Sequence, residues 1–326
     1  MELLSFIWMG KPLWIWAVFI ILILGLMVFD LGILHRKQKE IKISESLWLS
    51  LFYITMGLTY GAWIWFYMGE ISASEYLTGY LVEKTLSLDN IFVMSLIFNY
   101  FGVAQKYQYR VLFWGILGVV LLRGLMIALG ATLIERFEWI TFIFAGFLII
   151  TGTKMLIAQD SEPDLESNPI LRWMRQHLRI TPKLHGEKFF VRLEVPSTSK
   201  RQVWVTPLLL ALILIELADI VFAVDSIPAI FTITHDPYIV YTSNIFAVLG
   251  LRALYFALAA IIHRFHYLKY SLAIVLIFIG SKPFLTWWLE AEKFPAGISL
   301  IITVSLILSG IFVSLLKTRS SIDPQK

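Results

Sequence analysis

Residues 205–230 read VTPLLLALILIELADIVFAVDSIPAI, an apolar run that contains Glu216, Asp219 and Asp225. A run of this length predicts a transmembrane helix, because about 20 apolar residues cross the hydrocarbon core of a bilayer. Ionised acids at the centre of such a helix cost roughly 2.5–3.5 kcal/mol each and mark functional sites by default. The same stretch therefore predicts a membrane fold and the location of a candidate site.

The composition of the whole chain agrees with this reading. Of its 326 residues, 58% are hydrophobic and 15% are charged, and the mean hydropathy is +0.77, whereas soluble proteins carry about 25% charged residues. The net charge is +4, and in a membrane protein an excess of Lys and Arg serves to orient the chain in the bilayer. No nucleic-acid partner is therefore expected. The chain has no cysteine, which excludes disulfides, thiol catalysis and thiolate metal sites. The predicted class is an all-α polytopic membrane protein.

The apolar runs predict about nine transmembrane helices. Their approximate bounds are 13–34, 47–68, 76–100, 111–134, 140–157, 205–230, 238–262, 270–289 and 297–316. The first run is too long for the core of a signal peptide and is expected to be retained. Lys and Arg are concentrated in the connections on one side of the membrane. This asymmetry predicts an N-terminus outside and a C-terminus in the cytoplasm.

The connection 158–204 is long and charged, and it is predicted to be a cytoplasmic loop. Apolar and basic residues alternate at helical spacing over Asn168–Arg179, which favours an amphipathic helix on the anionic leaflet, with docking of a partner as the alternative. Residues 189–195 read FFVRLEV and predict a short strand.

An internal repeat relates the third to fifth spans to the sixth to eighth. The stretch EKTLSLDNI at 83–91 aligns with DIVFAVDSI at 219–227. Further matches follow in the same order. Arg123 aligns with Arg252, and Gly152-Thr-Lys154 aligns with Gly280-Ser-Lys282. Since each block has three spans, successive blocks cross the membrane in opposite senses. This predicts two inverted three-helix repeats, an arrangement typical of secondary transporters.

The repeat divides a single membrane domain, residues 1–326, into five parts. Residues 1–75 hold two peripheral spans, and residues 290–326 hold the last span and a cytoplasmic tail. Between them lie the first repeat (76–157), the cytoplasmic loop (158–204) and the second repeat (205–289).

The acids inside the spans are the candidate site. Five carboxylates are too costly to leave ionised and alone, so they are protonated, paired or bound to a cation. They are Glu83, Asp89, Glu216, Asp219 and Asp225. Asn90 lies seven residues after Glu83 and Ser226 seven after Asp219, so each pair shares a helix face. Pro228 is expected to break the sixth span and free backbone carbonyls.

Two readings of these acids are open. In the first, they only neutralise Arg123, Arg252 and Lys84. In the second, they bind a metal, and carboxylate, amide and hydroxyl oxygens then suit a hard divalent ion such as Mg, Ca or Mn. His263 and His266 fall at a span boundary, which argues against Zn and Cu. Met94 offers a soft sulfur in the third span, although a core role is more common for methionine.

The two lysines of the repeat, Lys154 and Lys282, fall nearer opposite membrane faces. Both are expected to extend their ammonium groups to the interface.

These residues resemble the TerC/Alx family of integral membrane proteins. The matching stretches are 83–92, 121–124, 184–190, 214–230 and 249–255, and the resemblance covers most of residues 13–316. It implies a bacterial inner-membrane protein of manganese homeostasis that acts as a Mn(II) exporter. It also implies that the five acids handle the metal. The repeat is imperfect, because Tyr80 stands in the place that corresponds to Glu216, and the second block is therefore expected to supply more of the ligands.

The sequence thus predicts a secondary transporter that exports Mn(II) in exchange for protons, and not an enzyme. The metal residues are Glu83, Asp89, Asn90, Glu216, Asp219 and Asp225. Mn(II) is cargo, no resident cofactor is expected, and membrane lipids are the other partner.

Two other functions compete with the transporter. The first is a membrane-embedded factor for metallation or assembly of exported proteins, working with the protein translocation machinery; the basic loop favours it. The second, an intramembrane aspartyl protease using Asp89 and Asp225, lacks the Gly-x-Gly-Asp motif.

Overall fold

The computed structural model describes residues 6–29, 43–137, 139–157, 169–194, 201–258, 268–289 and 294–321. Their helices are α1 (Leu13–Phe29), α2 (Ile43–Met68), α3 (Glu70–Tyr100), α4 (Gln105–Arg136), α5 (Ile140–Ile157), α6 (Pro169–His177), α7 (Pro207–Phe231), α8 (Pro237–Leu258), α9 (Leu268–Trp288) and α10 (Ala296–Ser321). The strands form two antiparallel hairpins, β1 (Ile7–Trp8) with β2 (Lys11–Pro12) and β3 (Phe190–Glu194) with β4 (Arg201–Val205).

Seven of these helices, α2, α4, α5, α7, α8, α9 and α10, are long and apolar enough to cross a membrane. Helix α1 is apolar but shorter, at 17 residues. Helix α3 has 31 residues, about 46 Å at 1.5 Å per residue, and it carries Glu83, Lys84 and Asp89 near its middle. The prediction of an all-α polytopic membrane protein is confirmed, while the number of nine spans and their orientation stay predictions.

Helix α8 lies at the centre of the bundle. Ninety-four per cent of its apolar window is buried, and it packs against both α2 and α3. Tyr238 at its start contacts the rings of Trp16 and Phe19 from α1, and its hydroxyl shares a hydrogen bond with Tyr60 of α2. The two N-terminal helices thus cover α8.

Helices α5 and α9 cross closely through a reciprocal pair of glycines. A Cβ atom on Gly152 would lie 2.6 Å from the backbone oxygen of Ala273, and a Cβ atom on Gly280 would lie 2.6 Å from that of Ala145. Each glycine lies seven residues after the alanine whose carbonyl the other glycine contacts, so residue numbers rise along α5 as they fall along α9. The crossing is therefore antiparallel and nearly symmetric, as a two-fold axis between inverted repeats would require. The repeat itself stays a prediction.

Helix α7 shows where one expectation is wrong. It is continuous from Pro207 to Phe231 and includes Pro228, so the predicted break is not present. A proline removes one hydrogen bond to the carbonyl four residues earlier. Because Pro228 lies in the last turn, the helix loses that single bond and continues to its end.

The segment that follows α5 folds onto the ends of the membrane helices. Helix α6 buries Leu171 and Met174 in a cluster with Val103 and Leu208. Its apolar stripe therefore packs on protein, although Trp173 remains 56% exposed. The default expectation that the apolar face rests on lipid is wrong for the buried part of this stripe.

The strand expected at 189–195 is present as β3, and Val195 lies outside the described residues. Its partner β4 was not predicted. Val205, placed at the start of the sixth span, belongs to this strand, and α7 begins at Pro207.

Candidate functional site

The centre of the candidate site is Arg123, which α4 carries into the interior of the bundle and which is 1% exposed. Its guanidinium donates two hydrogen bonds to Asp219 of α7, from Nε at 3.0 Å and from Nη2 at 2.8 Å. Nη1 donates to Glu83 of α3. The fork of Arg123 thus joins two of the predicted acids across three helices.

Amide and hydroxyl groups complete this ionic cluster. Asn244 of α8 accepts from Arg123 Nη1 at 2.7 Å and donates to Glu83 Oε2 at 3.2 Å. Ser87 donates to Glu83 Oε1 at 3.2 Å, and Asn90 Nδ2 donates to an oxygen of Asp219 at 3.4 Å. Helices α3, α4, α7 and α8 therefore meet at one hydrogen-bonded network.

The network carries two carboxylates for one guanidinium. All three groups are buried, with exposed side-chain fractions of 1% or 2%. Removing one member of a buried ion pair typically costs about 3–5 kcal/mol, because the remaining charge loses its partner. The cluster holds the helices in place and leaves an excess negative charge, which a cation would balance.

A cavity of about 200 Å³, with a mainly apolar lining and a few polar groups, adjoins the cluster between α3, α5, α7 and α9. Its lining residues are Glu83, Leu86, Ser87, Asn90, Thr151, Met155, Phe222, Ser226 and Leu276. Two oxygens of this lining, Asn90 Oδ1 and Ser226 Oγ, are buried and have no hydrogen-bond partner within the described part of the chain. Since one water occupies about 30 Å³ in the liquid, the cavity has room for an ion with waters.

The structure brings together only some of the predicted metal residues. Glu83, Asn90 and Asp219 are in the network. Glu216 stands apart, with its carboxylate against Gly118 of α4 and both oxygens buried without a partner among the described residues. The backbone at Asp89 and at Asp225 is helical, but their side chains lie outside the described residues.

Among the described residues, no group of three or more Asp, Glu or His side chains is close enough to hold a metal. The physical reason lies in Arg123, which occupies the carboxylates of Glu83 and Asp219, while Glu216 lies against another helix. The reading in which arginine pairs with the acids therefore holds for these two carboxylates, although one guanidinium balances only one of their two charges.

The other buried cations have partners of different kinds. Arg252 donates to the hydroxyl of Tyr109 at 2.9 Å and lies 4.4 Å from the centre of the same ring. Lys84 donates to the carbonyl of Ala247 at 2.9 Å. Lys282 is 5% exposed and donates to Ser299 of α10 at 3.0 Å, so the expectation that it reaches the interface is wrong.

Four members of the site were missed by the sequence reasoning: Ser87, Asn244, Thr151 and Met155. A signal existed for the first two, because Ser87 lies one helical turn after Glu83 and Asn244 is an amide within a predicted span. For Thr151 and Met155, only the packing of α5 against α7 and α9 shows that they line the cavity.

Two larger cavities lie near the N-terminal end of α3. Their volumes are about 740 and 460 Å³, and they share Thr141, His235, Pro283 and Thr286. The smaller one is also lined by Glu75, eight residues before Glu83 on α3, which is about 12 Å along the helix. They are larger than the central cavity, but the network of Arg123, Glu83 and Asp219 adjoins the central one, so we assign the candidate site there.

A bundle of apolar helices around a buried ionic network, with a small cavity beside it, defines a polytopic membrane protein with a candidate ion site. Residues 68–321 match the family described as "Integral membrane protein TerC family". The chain belongs to this family, which confirms the resemblance seen in its sequence.

Several bacterial relatives cover nearly the whole chain. An "Uncharacterized membrane protein" of Rickettsia bellii is 48% identical over 310 residues, which are 95% of this chain and 99% of the relative. A relative in Myxococcus xanthus is 42% identical over 95% of this chain and 94% of its own length. A Salmonella typhi protein named "Putative membrane-bound redox modulator Alx" is 40% identical over 92% of this chain and 94% of its own. No solved structure matches the chain.

Proposed function

We propose that this protein is a secondary transporter that exports Mn(II) from the cytoplasm in exchange for protons. The observation that carries the proposal is the central cavity, where Asn90 Oδ1 and Ser226 Oγ are buried without partners among the described residues beside the Arg123 cluster. A buried polar atom without a partner costs roughly 1–3 kcal/mol. A cation in this cavity would remove that cost and balance the excess negative charge.

The donor atoms favour a hard divalent ion. Glu83 offers a carboxylate, Asn90 an amide oxygen, and Ser87 and Ser226 hydroxyls. Such oxygens suit Mg, Ca and Mn. The choice of manganese and the direction of transport rest on the family resemblance.

Asp89 and Asp225 remain in the proposed ligand set because of their place along the helices. Asp89 follows Leu86 by three residues, and Asp225 follows Phe222 by three. Both Leu86 and Phe222 line the cavity, and residues three apart are neighbours on a helix.

Arg123 gives the site a way to alternate between two states. Its guanidinium now holds Glu83 and Asp219, and a divalent ion in the cavity would compete for the same carboxylates. We propose that metal entry loosens these ion pairs and that they re-form when the metal leaves, so that the acids are never left uncompensated.

Exchange with protons is the remaining part of the proposal. A carboxyl group can hold either a proton or a metal, so metal binding releases protons. Glu216 is a candidate carrier, because both of its oxygens are buried and accept no hydrogen bond among the described residues. The cavities near Glu75 lie toward the predicted outer side and would form the exit.

The proposal is tested by Mn(II) flux in proteoliposomes that contain the purified full-length protein. The proposal is supported if an inward proton gradient accelerates Mn(II) efflux and if excess Mg(II) does not block it. Flux that is unaffected by a pH gradient would remove the proton coupling but leave the carrier.

Site variants locate the path within the protein. Asn90→Ala should strongly reduce Mn(II) flux, whereas Asn99→Ala, at an exposed position of the same helix, should leave it unchanged. Equal flux in the two variants would place the path elsewhere.

A second function is favoured by one observation. Helix α6 and the β3–β4 hairpin form an ordered unit on the membrane helices, held by an ion pair between Arg110 and Glu187 at 3.1 Å. It exposes Trp173, Phe190 and Val203 by more than half. Such a unit suits a membrane-embedded factor that metallates or assembles exported proteins beside the translocation machinery.

The two functions separate experimentally. Replacing Trp173 and Phe190 by serine should impair metallation of an exported Mn protein under the second function and leave Mn(II) flux intact. The redox role in the name of the Salmonella relative would need a group other than a thiol here, because the chain has no cysteine.

The remaining parts of the proposal follow from the sequence. We propose that the protein catalyses no reaction and holds no resident cofactor. Mn(II) is its cargo, and membrane lipids surround it. The proposed location is the inner membrane, with the N-terminus outside.

A further inference from the structure

The wall of the central cavity contains one side chain that could bind a metal through an atom other than oxygen. Met155 lies on α5, one turn after Thr151, and both line the cavity together with polar residues of α3 and α7. The other apolar lining residues, Leu86, Phe222 and Leu276, have no donor atom. The thioether of Met155 is thus the one soft ligand among the described residues of this wall.

We infer that the Met155 thioether makes this cavity prefer Mn(II) over Ca(II) and Mg(II). The inference rests on the proposed function and deepens it, since it assigns the selectivity of the same site to a residue outside the acid motifs. The oxygens of Glu83, Asn90 and Ser226 bind all three ions and do not separate them.

The chemical reason is the difference between transition-metal and alkaline-earth ions. Ca(II) and Mg(II) take oxygen ligands and hold water in preference to sulfur. Soft thioether ligands shift a site toward transition metals. A cavity that presents a thioether in place of one oxygen therefore penalises Ca(II) and Mg(II) more than Mn(II).

The position of Met155 fits this role better than that of Met94, the methionine singled out in the sequence. Met94 packs with Ile91 and Phe98 in a separate apolar cluster and does not line the cavity. Met155 is partly buried beside Leu148 and Leu276. Met94 is therefore the matched control.

The test measures metal binding by the purified full-length protein in lipid nanodiscs. Mn(II), Ca(II) and Mg(II) affinities are compared for the wild type, Met155→Leu and Met94→Leu, because leucine keeps the volume and removes the sulfur. Met155→Leu should lower the ratio of Mn(II) to Ca(II) affinity by about tenfold, and Met94→Leu should leave it unchanged. Met155→Gln, which supplies an oxygen, should raise Ca(II) affinity.

A spectroscopic readout separates ligation from packing. Cd(II), a divalent ion that accepts sulfur, should show a sulfur neighbour in its X-ray absorption spectrum in the wild type and in Met94→Leu. That sulfur should be lost in Met155→Leu. A merely structural role for Met155 would not change this signal.

The result that overturns the inference is an unchanged Mn(II) to Ca(II) ratio in Met155→Leu together with no Cd–S signal in the wild type. If Glu83→Gln still abolishes Mn(II) binding in that case, the inference fails while the proposed site stands. If Glu83→Gln binds Mn(II) as the wild type does, the proposed site fails, and the inference fails with it.

Discussion

The two predicted three-helix blocks, α3–α5 and α7–α9, place the same residue types at matching positions but use them differently. Arg123 and Arg252 correspond in sequence. Arg123 forms ion pairs with two carboxylates, whereas Arg252 lies over the ring of Tyr109. The glycines of α5 and α9, by contrast, make matching contacts. The difference teaches that the backbone contacts between α5 and α9 are reciprocal, whereas the two arginines have different partners.

The largest expected effect comes from Arg123. Arg123→Leu leaves Glu83 and Asp219 as unpaired buried carboxylates, which should cost about 3–5 kcal/mol in the free energy of unfolding. A thermal unfolding scan in detergent checks this. A variant as stable as the wild type would show that the acids are not held ionised by this arginine.

The glycine crossing tests the symmetric side of the comparison. Gly152→Ala and Gly280→Ala each place a Cβ atom 2.6 Å from a backbone carbonyl, and each should destabilise the protein by a similar amount, about 1–3 kcal/mol. Gly146→Ala on α5 is the control, because nothing lies within 4 Å of its added Cβ atom. A large effect at only one of the two glycines would break the symmetry.

A smaller effect on stability, and a larger one on transport, is expected at Gly118. An added Cβ atom there would overlap the carboxylate of Glu216, the acid that replaces Tyr80 in the second block. Gly118→Ala should stay folded, since alanine favours helix, but should slow Mn(II) flux. Shortening the acid in Gly118→Ala/Glu216→Asp should restore part of it; full flux in Gly118→Ala alone would exclude Glu216 from the cycle.

The smallest effect is expected at Tyr109, the aromatic partner of Arg252. Tyr109→Phe removes the hydrogen bond at 2.9 Å but keeps the ring, and it should cost about 1 kcal/mol. Chemical denaturation beside a Tyr107→Phe control measures it. A cost as large as that of Arg123→Leu would make the two arginines equivalent after all.

The sequence was sufficient for the fold class because long apolar runs allow few other structures. It also singled out Glu83, Asn90, Asp219 and Arg123 as costly polar groups inside such runs, and these side chains meet in one network, while their role in metal binding stays a prediction. It did not predict which acid meets which cation, because helical spacing defines a face but not the helix that packs on it. Asn244 and Met155 belong to helices whose contact with the site depends on packing alone.

Local structure outside the membrane helices was harder to predict. β4 reads RQVWV and follows residues of the basic loop, so its pairing with β3 depends on a contact across the loop. The predicted helix break at Pro228 and the predicted interfacial position of Lys282 were wrong because both depend on the surroundings of the residue in the fold. A proline is tolerated where few turns follow it, and a lysine can stay inside where another helix, here α10, supplies Ser299.

The central claim is that the transported ion binds in the cavity between α3 and α7, and a distance measurement tests it most directly. Because the chain has no native cysteine, single cysteines at Glu70, Gln105 and Thr153, all exposed, can each carry a nitroxide label. Pulsed EPR between each label and bound Mn(II) should give three distances that meet between Glu83 and Ser226. Distances that meet instead at the cavities around His235, or no bound Mn(II) at all, would contradict the account.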